Sequence, residues 1–187
     1  MIGEIDCWLT EKVARYKARS LYLPAGGTLR RLYAHWRTSP HPALQHLELH
    51  QVDDILEGER RRMFAHFFAQ ELPGFAVREP RIYVQADLGI LGLGVNGHVA
   101  FHEPGLPETF TFGTVIPHDE TALRLGVQPG TRAVTFGLGA FLQTKALLLI
   151  VSGESKRRAF ERFLARDPAL PATALYKHPD FRFFVDL

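Results

Sequence analysis

Apolar and polar positions along this chain follow two alternating periods. Ile5, Trp8, Leu9 and Val13 recur at the spacing of a helix, which predicts an amphipathic helix over the first twenty residues. Ser20 to Pro24 (SLYLP) has the length and composition of a short buried strand, closed by the turn signal Ala25-Gly26-Gly27. Helical spacing resumes in TLRRLYAHW, with Thr28 at a capping position. His46 to Val52 (HLELHQV) alternates as a half-buried strand does. The stretch ILEGERRRMFAHFFAQEL (55–72) reads as a helix, with Met63, Phe64, Phe67, Phe68 and Leu72 on one stripe.

Ala86 to Gly94 (ADLGILGLG) is a short, continuous apolar run of the kind expected of a central parallel strand. RAVTFGL and KALLLIVSG are further strand candidates, ESKRRAFERFLARD (Glu154 to Asp167) is a strong helix, and FRFFVDL is a closing strand. Strands alternating with helices predict an α/β fold, a three-layer sandwich around a mostly parallel central sheet. No repeat, low-complexity tract or linker divides the sequence, so a single domain over 1–187 is expected.

Composition narrows the function classes. A hydrophobic fraction of 46% and a charged fraction of 22% are ordinary for a globular protein. A formal net charge of +2 gives no argument for a nucleic-acid partner, and no apolar stretch approaches the ~18 residues that span a bilayer. The single Cys7 excludes an internal disulfide and fits a reducing compartment. The start, MIGEIDCWLTEK, lacks the layout of a secretion signal, so a cytoplasmic location is expected. Homo-oligomerisation is left open.

Gly92, Gly94 and Gly97 stand at G-x-G-x-x-G spacing behind the central apolar run. A dinucleotide site would need a helix opening at the third glycine to hold a pyrophosphate. Six residues separate Gly97 from Pro104, too few for an ordinary helix before a breaker, and the unit falls mid-chain. What remains is a glycine-lined turn at the carboxyl end of a central strand, which presents His98 and Glu103 close together. A carboxylate beside an imidazole tunes it for proton transfer near neutrality. The bland alternative is a turn whose His bonds backbone. A metal reading of His98, His102 and Glu103 ranks lower, because no helix places both rings on one face.

Three further elements carry candidate chemistry. Strand, Gly26-Gly27, then Thr28 opening a helix makes an anion site from N–H groups, a hydroxyl and the helix dipole. Its plain alternative is a capped strand-to-helix turn. Lys156, in the first turn of a helix, opposes the dipole unless an anion is near; otherwise it is a solvated Lys beside Arg157 and Arg158. Asp53 and Asp54, at the end of a strand candidate, could supply a general base, while helix capping explains one of them as well. Gathered at one sheet edge, the four elements would form a pocket for a small phosphorylated molecule.

The order of these pieces resembles the glucosamine-6-phosphate deaminase and galactosamine-6-phosphate isomerase family. The resemblance rests on PAGGT, VDD, GLGVNGHVAFHEPG, VTFGLGAFL, LLLIVSGESK and LPATALYKHPDF, from about Ser20 to the carboxyl terminus. It implies that Asp53 shuttles a proton between C1 and C2 of an amino-sugar 6-phosphate, that His98 helps open the pyranose ring, and that Glu103 polarises His98. It implies substrate contacts from Gly26, Gly27, Thr28, Asp54, Gly94, Asn96, Gly97 and Lys156, with Arg124 the nearest counterpart of a phosphate-binding arginine. No metal or organic cofactor is implied, since proton transfer suffices. Asn96 stands where many relatives have Asp, Asp54 replaces Glu, and His102 and Leu106 depart from the pattern around Glu103-Pro104-Gly105. The segment between Gly74 and Ala86 is too brief for the usual crossover, so a shortened member is expected. The resemblance leads to an isomerase or deaminase; the competing readings are a 6-phosphogluconolactonase-type hydrolase and a non-catalytic sugar-phosphate sensor.

Overall fold

The computed structural model describes residues 1–187. In chain order the elements are α1 (Ile2–Tyr16), β1 (Ser20–Leu23), α2 (Arg30–Thr38), β2 (Glu48–Gln51), β3 (Asp53–Ile55), α3 (Met63–Glu71), β4 (Val77–Arg78) and β5 (Leu88–Gly92). There follow β6 (Phe112–Val115), α4 (Asp119–Leu125), β7 (Ala133–Phe136), α5 (Leu138–Phe141), β8 (Ala146–Ser152), α6 (Arg157–Leu164) and β9 (Phe181–Asp186).

Six strands form a wholly parallel sheet in the order β4-β2-β1-β5-β8-β9. Successive side chains of β8 point to opposite faces, and both faces are apolar: Ala146, Leu148 and Ile150 pack with α1 and α2, while Leu147, Leu149 and Val151 pack with α5 and α6. Two covered faces are why this strand is continuously hydrophobic rather than alternating. Each fully buried aliphatic side chain contributes on the order of 2 kcal/mol, so β8 and its neighbours anchor the frame. The result is the expected three-layer α/β sandwich.

The strand order reverses between β1 and β5. In open parallel sheets a crevice forms there, outside the carboxyl ends of the strands, because the connections leave in opposite directions. The turns after β2, β1, β5 and β8, four adjacent strands, all emerge at that edge.

Several expectations are corrected. The helix expected over 55–72 begins only at Met63: Ile55 pairs with Ala133 in β3, and left-handed backbone at Gly58 (φ 75°) and Arg62 (φ 60°) interrupts any helix between. Helical spacing in ILEGERRR was overridden by strand pairing. Thr28 caps no helix, for Gly27–Leu29 is a single 3-10 turn without a side-chain cap and α2 starts at Arg30. Similarly, Glu154–Lys156 is a 3-10 turn before α6. The strand expected over His46–Val52 is confined to Glu48–Gln51. Asp53 and Asp54 therefore open the next strand rather than closing this one.

That next strand belongs to a second, antiparallel sheet, β3-β7-β6, which periodicity did not foresee. Arg132–Leu138 supplies β7 there and not a strand of the central sheet. The short connection after β4 crosses back to β5 without a helix; it is pinned by Tyr22, whose hydroxyl donates to the Val84 carbonyl, and by Gln85, which donates to Ala140 O at 3.0 Å.

Candidate functional site

The turns at the switch point enclose a cleft of about 190 Å³. Its floor is the turn Gly92–Val95 with His98. One wall is Pro24–Thr28, another is Phe64 and Phe101, stacked at 5.9 Å, and the mouth carries Thr121, Arg124 and Lys156. Asp53 lines it from the junction of the two sheets.

Asp53 and Asp54 part company here. Asp54 is saturated: Oδ1 accepts from the N–H groups of Ile55 (2.8 Å) and Phe64 (3.0 Å), and Oδ2 from Ala65 N–H (3.1 Å) and Gln51 Nε2 (2.8 Å). It thus caps α3 from ten positions upstream, where a negative charge is favoured by the helix dipole. Asp54 does not line the cleft. Asp53 does, 6% exposed and with no side-chain partner. Burial, reinforced by the Asp54 charge, pushes the Asp53 carboxyl well above the usual carboxylate range.

His98 lies on Gly94, where a Cβ would overlap its imidazole. The glycine spacing therefore makes room for a ring. The backbone N–H of His98 and its Nδ1 both donate to Asn96 Oδ1, at 3.2 and 2.6 Å, and Asn96 Nδ2 donates to Glu103 Oε2 at 2.8 Å. An ionised carboxylate only accepts hydrogen bonds. It turns the Asn96 amide nitrogen toward itself and the oxygen toward His98, so Nδ1 carries the proton and Nε2 keeps its lone pair. Burial lowers the His98 pKa to about 4 against the opposing pull of Glu103, with Lys156, Arg124 and His118 adding to the depression. Glu103 reaches His98 only through Asn96. Ala100, also lining the cleft, holds a left-handed conformation (φ 50°), a strain of order 1 kcal/mol for a residue with a Cβ.

Lys156 is half-buried with no carboxylate paired to it; burial and the neighbouring Arg124 lower its ammonium pKa. Arg124 is half-exposed, held by Glu120 at 2.8 Å. Lys156 and Arg124 stand beside the Gly-Gly turn, and the Lys156 charge has no carboxylate partner until an anion enters. His102 faces away from His98: its Nδ1 accepts the Leu138 N–H at 3.1 Å, and burial lowers its pKa to about 4. Gly97 (φ 82°) stands outside the cleft, against Leu170.

Among the sequence-derived residues, then, the cleft unites Gly26, Gly27, Thr28, Asp53, Gly94, His98, Arg124 and Lys156. Asn96 and Glu103 lie behind His98, and Asp54 and Gly97 do not face the cleft.

The profile of a family described as glucosamine-6-phosphate isomerases/6-phosphogluconolactonase matches residues 44–183. The chain belongs to this family. A glucosamine-6-phosphate deaminase of Bacillus velezensis is 36% identical over 109 residues, 54% of this chain and 45% of that protein. One of Rhodopirellula baltica is 38% identical over 108 residues, 54% and 43%. The chain spans about half the length of these curated relatives. Among solved structures, a monomeric glucosamine-6-phosphate deaminase superposes with a TM-score of 0.78 at 22% identity, over 99% of this chain and 92% of that one. A 6-phosphogluconolactonase of Thermotoga maritima gives 0.72 at 16%, over 100% and 95%. At those identities the likeness is one of fold.

Within GLGVNGHVAFHEPG the structure explains the spacing locally: Gly94 seats the ring, Asn96 orients it and Glu103 orients Asn96. Sequence reasoning missed Thr121, Phe64 and Phe101 as cleft residues. Phe64 carried a signal, its place on an apolar stripe, which read as core. Thr121 sits on α4, a short helix that no periodicity announced. No helix is long and apolar enough to cross a membrane.

Proposed function

We propose that residues 1–187 form one sugar-phosphate domain that isomerises and deaminates an amino-sugar 6-phosphate, yielding a ketohexose 6-phosphate and ammonia. The observation that carries this reading is one cleft with a partner-free Asp53 carboxyl, the bare Nε2 of His98 and the unpaired Lys156. The name shared by the curated relatives, glucosamine-6-phosphate deaminase, supports it.

The phosphate would lie against Gly26, Gly27 and Thr28, held by Lys156 and Arg124, so that binding energy from the far end of the sugar fixes C1 and C2. His98 Nε2, a neutral base, takes the proton of the C1 hydroxyl and passes it to the ring oxygen as the bond between C1 and that oxygen breaks. Asp53 as carboxylate then removes the C2 proton and returns it to C1 through an enediol-like intermediate. Its raised pKa makes it the stronger base for that transfer. As C1 is protonated, the C1 oxygen has gained a proton and the C2 nitrogen gives one up, which leaves a C2 imine that takes up water and releases ammonia. Asn96 and Glu103 keep His98 in the required tautomer.

The test is direct: incubate the protein with glucosamine 6-phosphate and galactosamine 6-phosphate and measure ammonia and ketose phosphate. Formation of both, lost in Asp53→Asn, is expected. Neither product from either sugar, with hydrolysis of 6-phosphogluconolactone instead, would move the chain to the lactonase reading. Calorimetric binding without any turnover would make it a sensor.

A further inference from the structure

We propose that His118 is a positioning residue for His98, acting through Glu103 and Asn96. The proposal rests on the acid–base reading of the cleft but concerns a residue outside it. The His118 backbone N–H donates to Glu103 Oε1 at 3.3 Å, and its ring Nδ1 stands 3.4 Å from Oε2. Glu103 is 3% exposed at its side chain, and its remaining hydrogen bond is the one from Asn96. One residue therefore touches both oxygens of a buried carboxylate, which fixes the rotation of the carboxyl plane. Buried carboxylates depend on such partners, since each donor removed leaves charge uncompensated.

The consequence runs inward. The direction of Glu103 Oε2 sets the Asn96 amide, and the Asn96 oxygen sets which His98 nitrogen carries the proton. His118 is itself firmly placed, because its carbonyl accepts the Ala122 N–H at 2.9 Å and so begins α4. Its ring is half-exposed, the most exposed member of the chain His118–Glu103–Asn96–His98. A charged ring would set its positive charge 3.4 Å from Oε2; a neutral one would not. The charged groups around this path are Glu103, Lys156 and Arg124, whose charges act on His98, and Asp119 and Glu120, which follow His118 on α4, Glu120 being held by Arg124.

The experiment compares wild type, His118→Ala and His118→Asn, the last retaining a side-chain donor. Nitrogen-15 NMR of the histidine rings is recorded on the substrate-free protein, and kcat and KM against pH are measured with whichever hexosamine phosphate is turned over. In His118→Ala the His98 ring nitrogens should depart from the single Nδ1–H pattern. In the same variant kcat should fall about tenfold, as expected for one charge-assisted hydrogen bond, with KM within about twofold. His118→Asn should restore the pattern and most of kcat. Unchanged His98 signals in His118→Ala overturn the proposal whatever the rate does, as does a changed pattern that His118→Asn fails to restore. Because the NMR readout needs no substrate, it stands apart from the fate of the functional reading. Should His118→Ala fail to fold, Glu103→Gln read by the same signals decides: His98 signals that stay unchanged overturn the proposal.

Discussion

Asp53 and Asp54 are consecutive in β3, and their carboxyl groups leave the strand on opposite faces into unlike surroundings. Asp54 receives four hydrogen bonds and ends as structure; Asp53 receives none and lines the cleft. The first also acts on the second, since the Asp54 charge adds to burial in raising the Asp53 pKa. A fold-supporting carboxylate thus helps make its neighbour a stronger base.

Asp53→Asn should cut kcat by about 10²–10⁴-fold, the usual worth of a general base, with KM little changed. The same variant should be more stable at neutral pH. A carboxyl whose folded pKa is raised favours folding only while protonated, and that contribution is lost as pH climbs from near 4 through the folded pKa. The amide removes this loss, and each kcal/mol relieved adds about 2–4 °C to Tm for a chain of this size. Thermal melts at pH 5 and pH 8 should show the gain growing with pH.

Asp54→Ala should behave in the opposite way. It leaves the buried N–H groups of Ile55 and Phe64 and the part-buried one of Ala65 without their acceptor, a cost of about 3 kcal/mol. Urea unfolding would detect this as a lower midpoint at unchanged slope. A stability equal to wild type would mean that α3 finds another cap.

His98 should remain neutral down to about pH 5, since its folded pKa is about 4 against an ordinary 6.5. A depressed histidine contributes stability that is present above 6.5 and lost as pH falls toward 4. Wild type should therefore lose stability across that window more steeply than His98→Gln, as measured by denaturant titrations at several pH values.

Lys156→Ala should raise KM for a sugar phosphate by about 10–100-fold, the factor carried by one charge-assisted bond to an anion, with a smaller effect on kcat. Inorganic phosphate should protect wild type against heating and lose that effect in the variant. Equal protection would place the anion elsewhere.

Gly94→Ala should leave the protein folded but displace the His98 ring, because the added methyl occupies the ring's position. Overpacking of this kind costs about 1–3 kcal/mol. The loss in kcat should approach that of His98→Gln, and the nitrogen signals of His98 should broaden or shift.

The switch-point cleft was legible because each of its parts has a local signature: an apolar run ending in glycine, a Gly-Gly turn, a Lys opening a helix. The 55–72 segment was not, since ILEGERRR satisfies helical spacing while Ile55 gains more by pairing with Ala133. The second sheet escaped notice for the same reason: Phe112–Val115 is too short and mixed for its period to speak.

By itself, the sequence determined the parallel core, whose strands β1, β5 and β8 are apolar on both faces, and pointed to Asp53, His98 and Lys156 in the cleft. Only the tertiary structure decided which of two adjacent aspartates is free, that Asn96 stands between Glu103 and His98, and that His118 reaches Glu103. Periodicity reports how much of a side chain is buried along one element. The partner of a buried polar group is set by which elements meet, and that is a property of the packed chain.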